Sequence, residues 1–247
     1  MLEELSFEGS VLQDDQAILT NSDYVSRPAP VPLVALKSFS VDDFSSASLL
    51  NLHLQLIRAP NLTKLSIKSM QSDEAGSEAD FSSTFQMLAA ESNPFCHMAK
   101  IKSLELVACN CISSPSLAKF FQSCTSLCAL RYEVTALQPI PSDGSADPPW
   151  RAKQTKHYFQ AFLPPEAHSG QDLSAPARPT TCPALEKVLL QGFEQTVIRT
   201  FIDERHKILK YLALETSQYL PLDVDKWKRG GMTVVDFADL DEDEFDY

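Results

Sequence analysis

Along this chain apolar residues recur in one short pattern: an apolar position, two free positions, a second apolar position, one free position and a third. The clear copies are Leu62, Leu65 and Ile67; Ile101, Leu104 and Leu106; Leu127, Leu130 and Tyr132; Leu185, Val188 and Leu190; and Leu209, Leu212 and Leu214. Leu36, Phe39 and Val41, and Leu2, Leu5 and Phe7, are weaker copies. Alternation in the second half of each copy predicts a short strand with one buried face. Between strands the spacing turns helical: Leu117, Phe120, Phe121 and Cys124 share one helical stripe behind the start signal Ser114-Pro115. Similar stripes predict helices around Val197, Ile198, Phe201 and Ile202, around Leu50, Leu54 and Ile57, around Phe85, Leu88 and Ala89, and around Tyr158, Phe159 and Phe162. Trp227 is expected on a short helix stopped at Gly230-Gly231, with a last strand within Met232 to Phe237.

The copies begin at 2, 36, 62, 101, 127, 185 and 209, so the steps are 34, 26, 39, 26, 58 and 24 residues. Three of the six fall within the roughly 20 to 29 residues of a leucine-rich repeat, and the others read as repeats carrying insertions. Residues 71–80 lack large apolar side chains, and 138–149 and 166–181 are rich in Pro, Ser and Gly, which marks them as disordered loop insertions. The expected fold is therefore α/β: a leucine-rich-repeat solenoid, or horseshoe, over residues 1–237, with an acidic disordered tail over 238–247. Short parallel strands are expected on its concave face and helices on its convex face. No single unit buries both its strand and its helix, so neighbouring units stack their leucines into one ladder.

Residues between the ladder positions point out of such a sheet and are free to differ from unit to unit. Those expected to form a partner-binding surface are Glu4, Asp42, Lys64, Lys68, Glu105, Arg131, Glu133, Lys187, Tyr211 and Glu215. Tyr211, Arg131 and Lys64 are the kinds of side chain that anchor interfaces. The pattern predicts a recognition module for a protein target, not an enzyme.

Charge narrows the partner. The chain has 21 Lys and Arg against 33 Asp and Glu, a net −12, which disfavours nucleic acid or an anionic membrane as partner. Seven of the acids (Asp236, Asp239, Asp241, Glu242, Asp243, Glu244 and Asp246) lie in the last twelve residues. The chain has no apolar run of membrane-spanning length, and it opens on Leu2-Glu3-Glu4-Leu5 rather than on a secretory signal, so a cytoplasmic or nuclear location is expected. The six cysteines are expected reduced there.

Cys124 and Cys182 each stand three residues before a ladder leucine, and Cys109 three after Leu106. With Ala59-Pro60-Asn61-Leu62, Cys182-Pro183-Ala184-Leu185 and the acidic C-terminus, this resembles the cysteine-containing repeat region of fungal F-box proteins. That resemblance implies a ribonuclease-inhibitor-like fold and the role of substrate receptor in an SCF ubiquitin ligase, with the repeats holding the target. The chain departs from it at the F-box: Leu163-Pro164-Pro165-Glu166 looks like an opening, but prolines follow where helices have to form. SCF components are expected as partners only if an F-box lies upstream. The ladder starting at Leu2 supports missing upstream sequence, because an uncapped end coil leaves apolar surface in water. Alternative readings are an acidic leucine-rich nuclear protein that binds histones or other basic partners, and a solenoid GTPase activator.

No metal or cofactor is expected. Cys109, Cys111, Cys124 and Cys128 lack zinc-ribbon spacing, and the adjacent Cys96-His97 has no orienting third group in view. With seven glycines in the chain there is no glycine-rich phosphate loop.

Overall fold

The computed structural model describes residues 2–8, 29–44, 47–69, 81–109, 114–134, 181–193, 195–215 and 221–240. Its strands are β1 (Glu4–Glu8), β2 (Val31–Pro32), β3 (Ser38–Phe44), β4 (Ile57–Arg58), β5 (Lys64–Ser69), β6 (Ser103–Val107), β7 (Ala129–Glu133), β8 (Lys187–Gln191), β9 (Tyr211–Leu214) and β10 (Thr233–Asp236). Its helices are α1 (Ala47–Leu56), α2 (Ser82–Ala89), α3 (Ser114–Ser123), α4 (Gln195–Arg205) and α5 (Pro221–Arg229). The fold is α/β, and its main sheet has eight strands in the order β1-β3-β5-β6-β7-β8-β9-β10. Every neighbouring pair in it is parallel. β2 and β4 form a separate two-stranded ribbon.

The apolar pattern explains the register. Leu5, Phe39, Leu65, Leu104, Leu130, Val188, Leu212 and Val234 are successive partners across the sheet. Phe7, Val41, Ile67, Leu106, Tyr132 and Leu190 make the next row. A one-residue slip would turn both rows to the opposite face, so burial of the rows locks the pairing. The first apolar position of each copy seats the chain just before its strand: Leu36, Leu62, Ile101, Leu127, Leu185 and Leu209 are all buried. Their amides close recurring tight turns, as in Leu62 N to Ala59 O (3.2 Å), Leu127 N to Cys124 O (3.3 Å) and Leu185 N to Cys182 O (3.2 Å). At six of the seven joints in the main sheet, one carbonyl before a strand then accepts two amides from just before and at the start of the next strand. Glu3 O binds Lys37 and Ser38, Lys37 O binds Thr63 and Lys64, and the same occurs at Thr63, Lys102, Cys128 and Glu186.

The helices pack their apolar stripes on the ladder side of the sheet, in one continuous core. α3 begins at Ser114 and α4 buries Val197, Ile198, Phe201 and Ile202, as their stripes predict. One stripe ends early: α1 stops at Leu56, and Ile57 pairs with Val31 in the ribbon while staying buried. α5 ends where Gly231 takes φ +90°. Gly231 N then reaches Lys228 O (3.0 Å) and Met232 N reaches Trp227 O (3.3 Å), which satisfies the last helix carbonyls. Aromatic contacts run through the core, with Phe85 4.7 Å from Phe120 and Tyr132 5.1 Å from Phe193 between ring centroids. At the first strand Leu2 is 51% exposed, while Leu5 and Phe7 pack against the core, Phe7 lying 5.8 Å from the Phe39 ring.

The expected insertions at 71–80 and 138–149 lie outside the described residues, as do 166–180 and the helix expected around Tyr158, Phe159 and Phe162. Thr181, placed by composition in the last insertion, is instead buried. Its carbonyl accepts a bond from Arg205 of α4, a side chain 1% exposed that also donates to Cys182 O (3.1 Å) and lies over the Phe201 ring.

Candidate functional site

The residues between the ladder positions share the sheet face opposite the helices. Register sets them in rows. Ser6, Ser40, Ser66, Glu105, Arg131, Leu189, Ala213 and Val235 are successive neighbours, and Glu4, Ser38, Lys64, Ser103, Ala129, Lys187, Tyr211 and Thr233 run beside them. Lys68, Val107, Glu133 and Gln191 form part of a third row. All ten residues read from the sequence as partner-binding lie on this face or at its strand ends.

Four of those ten meet. Glu105 accepts Arg131 Nη1 at 3.3 Å and Lys68 Nζ at 3.5 Å, and its second oxygen takes the Ser66 hydroxyl at 2.7 Å. Arg131 Nε donates to Glu133. The two cations balance the two carboxylates. The side chains of Arg131, Glu105 and Glu133 are 20%, 17% and 13% exposed, so these pairs are better shielded than ordinary surface pairs and span β5, β6 and β7. Arg131, one of the side chains expected to anchor an interface, is thus clasped by two carboxylates on this face. Glu215 accepts Gln191 Nε2 at 3.1 Å, and Asp42 accepts the Ser40 hydroxyl at 3.2 Å. Lys187 and Tyr211 are register neighbours on β8 and β9. Glu4 stands apart, exposed on β1.

Sequence reasoning missed the other half of the face. Ala129, Leu189 and Ala213, read as outward positions, are each 0% exposed and form a second apolar cluster with Tyr211, Phe237 and Leu240. The last two belong to a 3-10 turn, Phe237–Asp239, directly after β10. The acidic tail expected from residue 238 thus has its first residues, Ala238 to Leu240, in or beside this turn. A signal for this was present in the sequence. Val188-Leu189-Leu190 and Leu212-Ala213-Leu214 are unbroken apolar runs, which mark strands covered on both faces.

Comparison with protein-family models, curated proteins and solved structures finds no match. What this face can do follows from its own side chains. It is a broad surface with a neutral, pre-organised polar centre, an acidic rim at Glu4 and Glu8, and an apolar end. Such a surface matches another protein surface better than it encloses a small molecule.

The sulfur chemistry lies elsewhere and is quiet. Burial pushes the Cys96, Cys109 and Cys182 thiols up to about 12, and Cys124 well above its ordinary value, so none supplies a thiolate nucleophile. Cys96 borders an open crevice lined by Arg58, Pro60 and Glu91, with its thiol directed at the Met98 sulfur, 3.7 Å away. Cys124 and Cys182 donate to the Phe120 and Phe121 carbonyls at 3.2 and 3.3 Å. Among the described residues no helix is long and apolar enough to cross a membrane, and no three His, Cys, Asp or Glu side chains converge as metal ligands.

Proposed function

We propose that the chain is a leucine-rich-repeat solenoid whose strand face recognises a protein target, in the manner of the substrate-binding repeats of SCF ubiquitin-ligase receptors. The observation that carries this reading is the repeated joint between units. One carbonyl taking two amides recurs at Glu3, Lys37, Thr63, Lys102, Cys128 and Glu186, and it accompanies strands that follow one another in chain order. Stacked units with variable outward residues are the physical basis of solenoid recognition surfaces. Cysteines fit the same frame, because Cys124 and Cys182 supply the turn carbonyl three residues before the ladder leucine. In this reading the chain is not an enzyme, needs no cofactor, and works in the cytoplasm or nucleus.

Affinity purification of the full chain from its native cell tests the class of partner. The reading expects a protein target, joined by a ubiquitin-ligase adaptor and cullin only if an F-box precedes the repeats. Histones in their place support the acidic nuclear alternative, and a small GTPase the activator alternative. The captured target is then measured against the full chain carrying Lys64→Glu and Lys187→Glu, and against Lys119→Glu on an exposed position of α3. Charge reversal on the strand face is expected to weaken binding by roughly tenfold or more, and the α3 variant to leave it unchanged. The opposite result, loss at Lys119 with no effect at Lys64 and Lys187, overturns the reading.

A further inference from the structure

The apolar end of the strand face is dry, while what covers it is half wet. Ala129, Leu189 and Ala213 come from three consecutive strands, β7, β8 and β9, and are fully buried although they point away from the main core. Phe237 and Leu240 lie on them, yet the turn that carries these two contains no buried residue. Within it, the Asp236 carboxylate accepts the Ala238 amide at 3.0 Å, and Leu240 N reaches Phe237 O at 3.3 Å. Among the described residues, no hydrogen bond from Phe237 to Leu240 ties the turn to β7 or β8. It follows directly on β10, so its departure from the seat breaks none of the pairing between β10 and β9.

We propose that this turn is a built-in occupant of the recognition face, and that its seat takes a short partner segment of the same chemistry. That segment has a capping Asp, Ser, Thr or Asn followed by two large apolar side chains three residues apart. The seated turn shows what fits: a compact one-turn segment whose cap satisfies its own amide and whose two anchors fill a shallow floor of one leucine and two alanines. Alanine at two of the three floor positions leaves room for anchors that larger residues would exclude. A partner segment replaces Phe237 and Leu240 like for like: its two anchors become buried as those of the turn return to water, so the exchange is near neutral in apolar area and the tethered turn competes with the partner until displaced. The inference rests on the reading of this face as a recognition surface and names its partner class.

The test uses the full chain, isotope-labelled for amide spectra, and a capped synthetic peptide spanning Asp236 to Leu240. In the natural chain the Leu189 and Ala213 amides are expected to move little on titration, because the seat is taken. With Phe237→Ala and Leu240→Ala they are expected to shift saturably, with apparent binding at least tenfold tighter. Adding Leu189→Asp is expected to abolish the shift. No saturable shift in the double variant, or equal titration of both chains, overturns the proposal. Native-state hydrogen exchange of the unsubstituted chain is a second measurement that needs no variant. The Ala238 and Leu240 amides are expected to exchange through an opening that leaves Leu189 and Leu212 protected, and exchange of all four together overturns the proposal. Neither measurement uses the protein target. Peptide exchange alongside a target indifferent to Lys64 and Lys187 reversal therefore leaves the seat standing and removes only the wider reading of the face.

Discussion

Arg205 is the largest fully buried side chain among the described residues, and its loss is expected to be felt on the opposite face of the sheet even though it lies on the helix side. Its guanidinium donates to the carbonyls of Thr181 and Cys182, which lead into β8, and Cys182 sits there at φ +47°. β8 in turn carries Lys187, Leu189 and Gln191. In Arg205→Met the Cys182 carbonyl keeps the Leu185 amide at 3.2 Å, while the Thr181 carbonyl loses the Arg205 bond. One orphaned buried carbonyl costs about 1–3 kcal/mol, partly offset because a buried cation no longer has to be desolvated. Arg205→Ala adds a cavity beside Phe201 and is expected to cost about 2 kcal/mol more. Arg205→Lys keeps the charge but loses the planar fork that spans two carbonyls, so it is expected to do no better than alanine. Urea unfolding of the full chain gives the order, and amide exchange at Lys187 to Gln191 shows whether the damage reaches β8. A lysine variant as stable as the natural chain, or methionine as damaging as alanine, would refute this account of the buried guanidinium.

Three further outcomes are expected. Leu104→Asp puts a carboxylate where the side chain is 1% exposed, between Leu65 and Leu130, and should cost on the order of 3 kcal/mol or more; an unchanged melting temperature would contradict the ladder. Gly192 has φ +80°, and a Cβ there would lie 1.8 Å from the Val134 carbonyl oxygen, so Gly192→Ala should destabilise by about 2 kcal/mol or more in urea melts and loosen the ends of β7 and β8. The Cys96, Cys109 and Cys182 thiols hold their protons to about pH 12 in the fold, against an ordinary value of 9.0 in the unfolded chain. Their contribution is therefore intact below pH 9 and is lost as pH rises from 9 toward 12, by on the order of 1 kcal/mol per pH unit and per thiol. Equilibrium unfolding in a pH series reads this loss, and cysteine-to-alanine variants that leave the alkaline slope unchanged would assign it to other groups.

The ladder was legible in the sequence because burial imposes a period that needs no knowledge of distant contacts. Leu65, Leu104, Leu130, Val188 and Leu212 sit in parallel strands where the apolar spacing puts them, and the stripes of α3 and α4 follow the same local rule. Which residues share the face opposite the helices followed from alternation alone. What they do there did not. Glu133 stands two residues from Arg131 on the same strand, but Glu105 reaches it only because β6 and β7, whose paired residues lie 26 apart, come into register, and a charge pattern read along the chain cannot show a partner on a neighbouring strand. Arg205 reads as an ordinary end-of-helix cation until α4 packs it beneath Thr181 and Cys182. Leu189 and Ala213 occupy outward positions, and only the return of Phe237 and Leu240 across the sheet turns them into a floor. Periodicity is a local consequence of burial and can be read one unit at a time. Pairing and covering depend on which segments meet in space, so they belong to the tertiary structure.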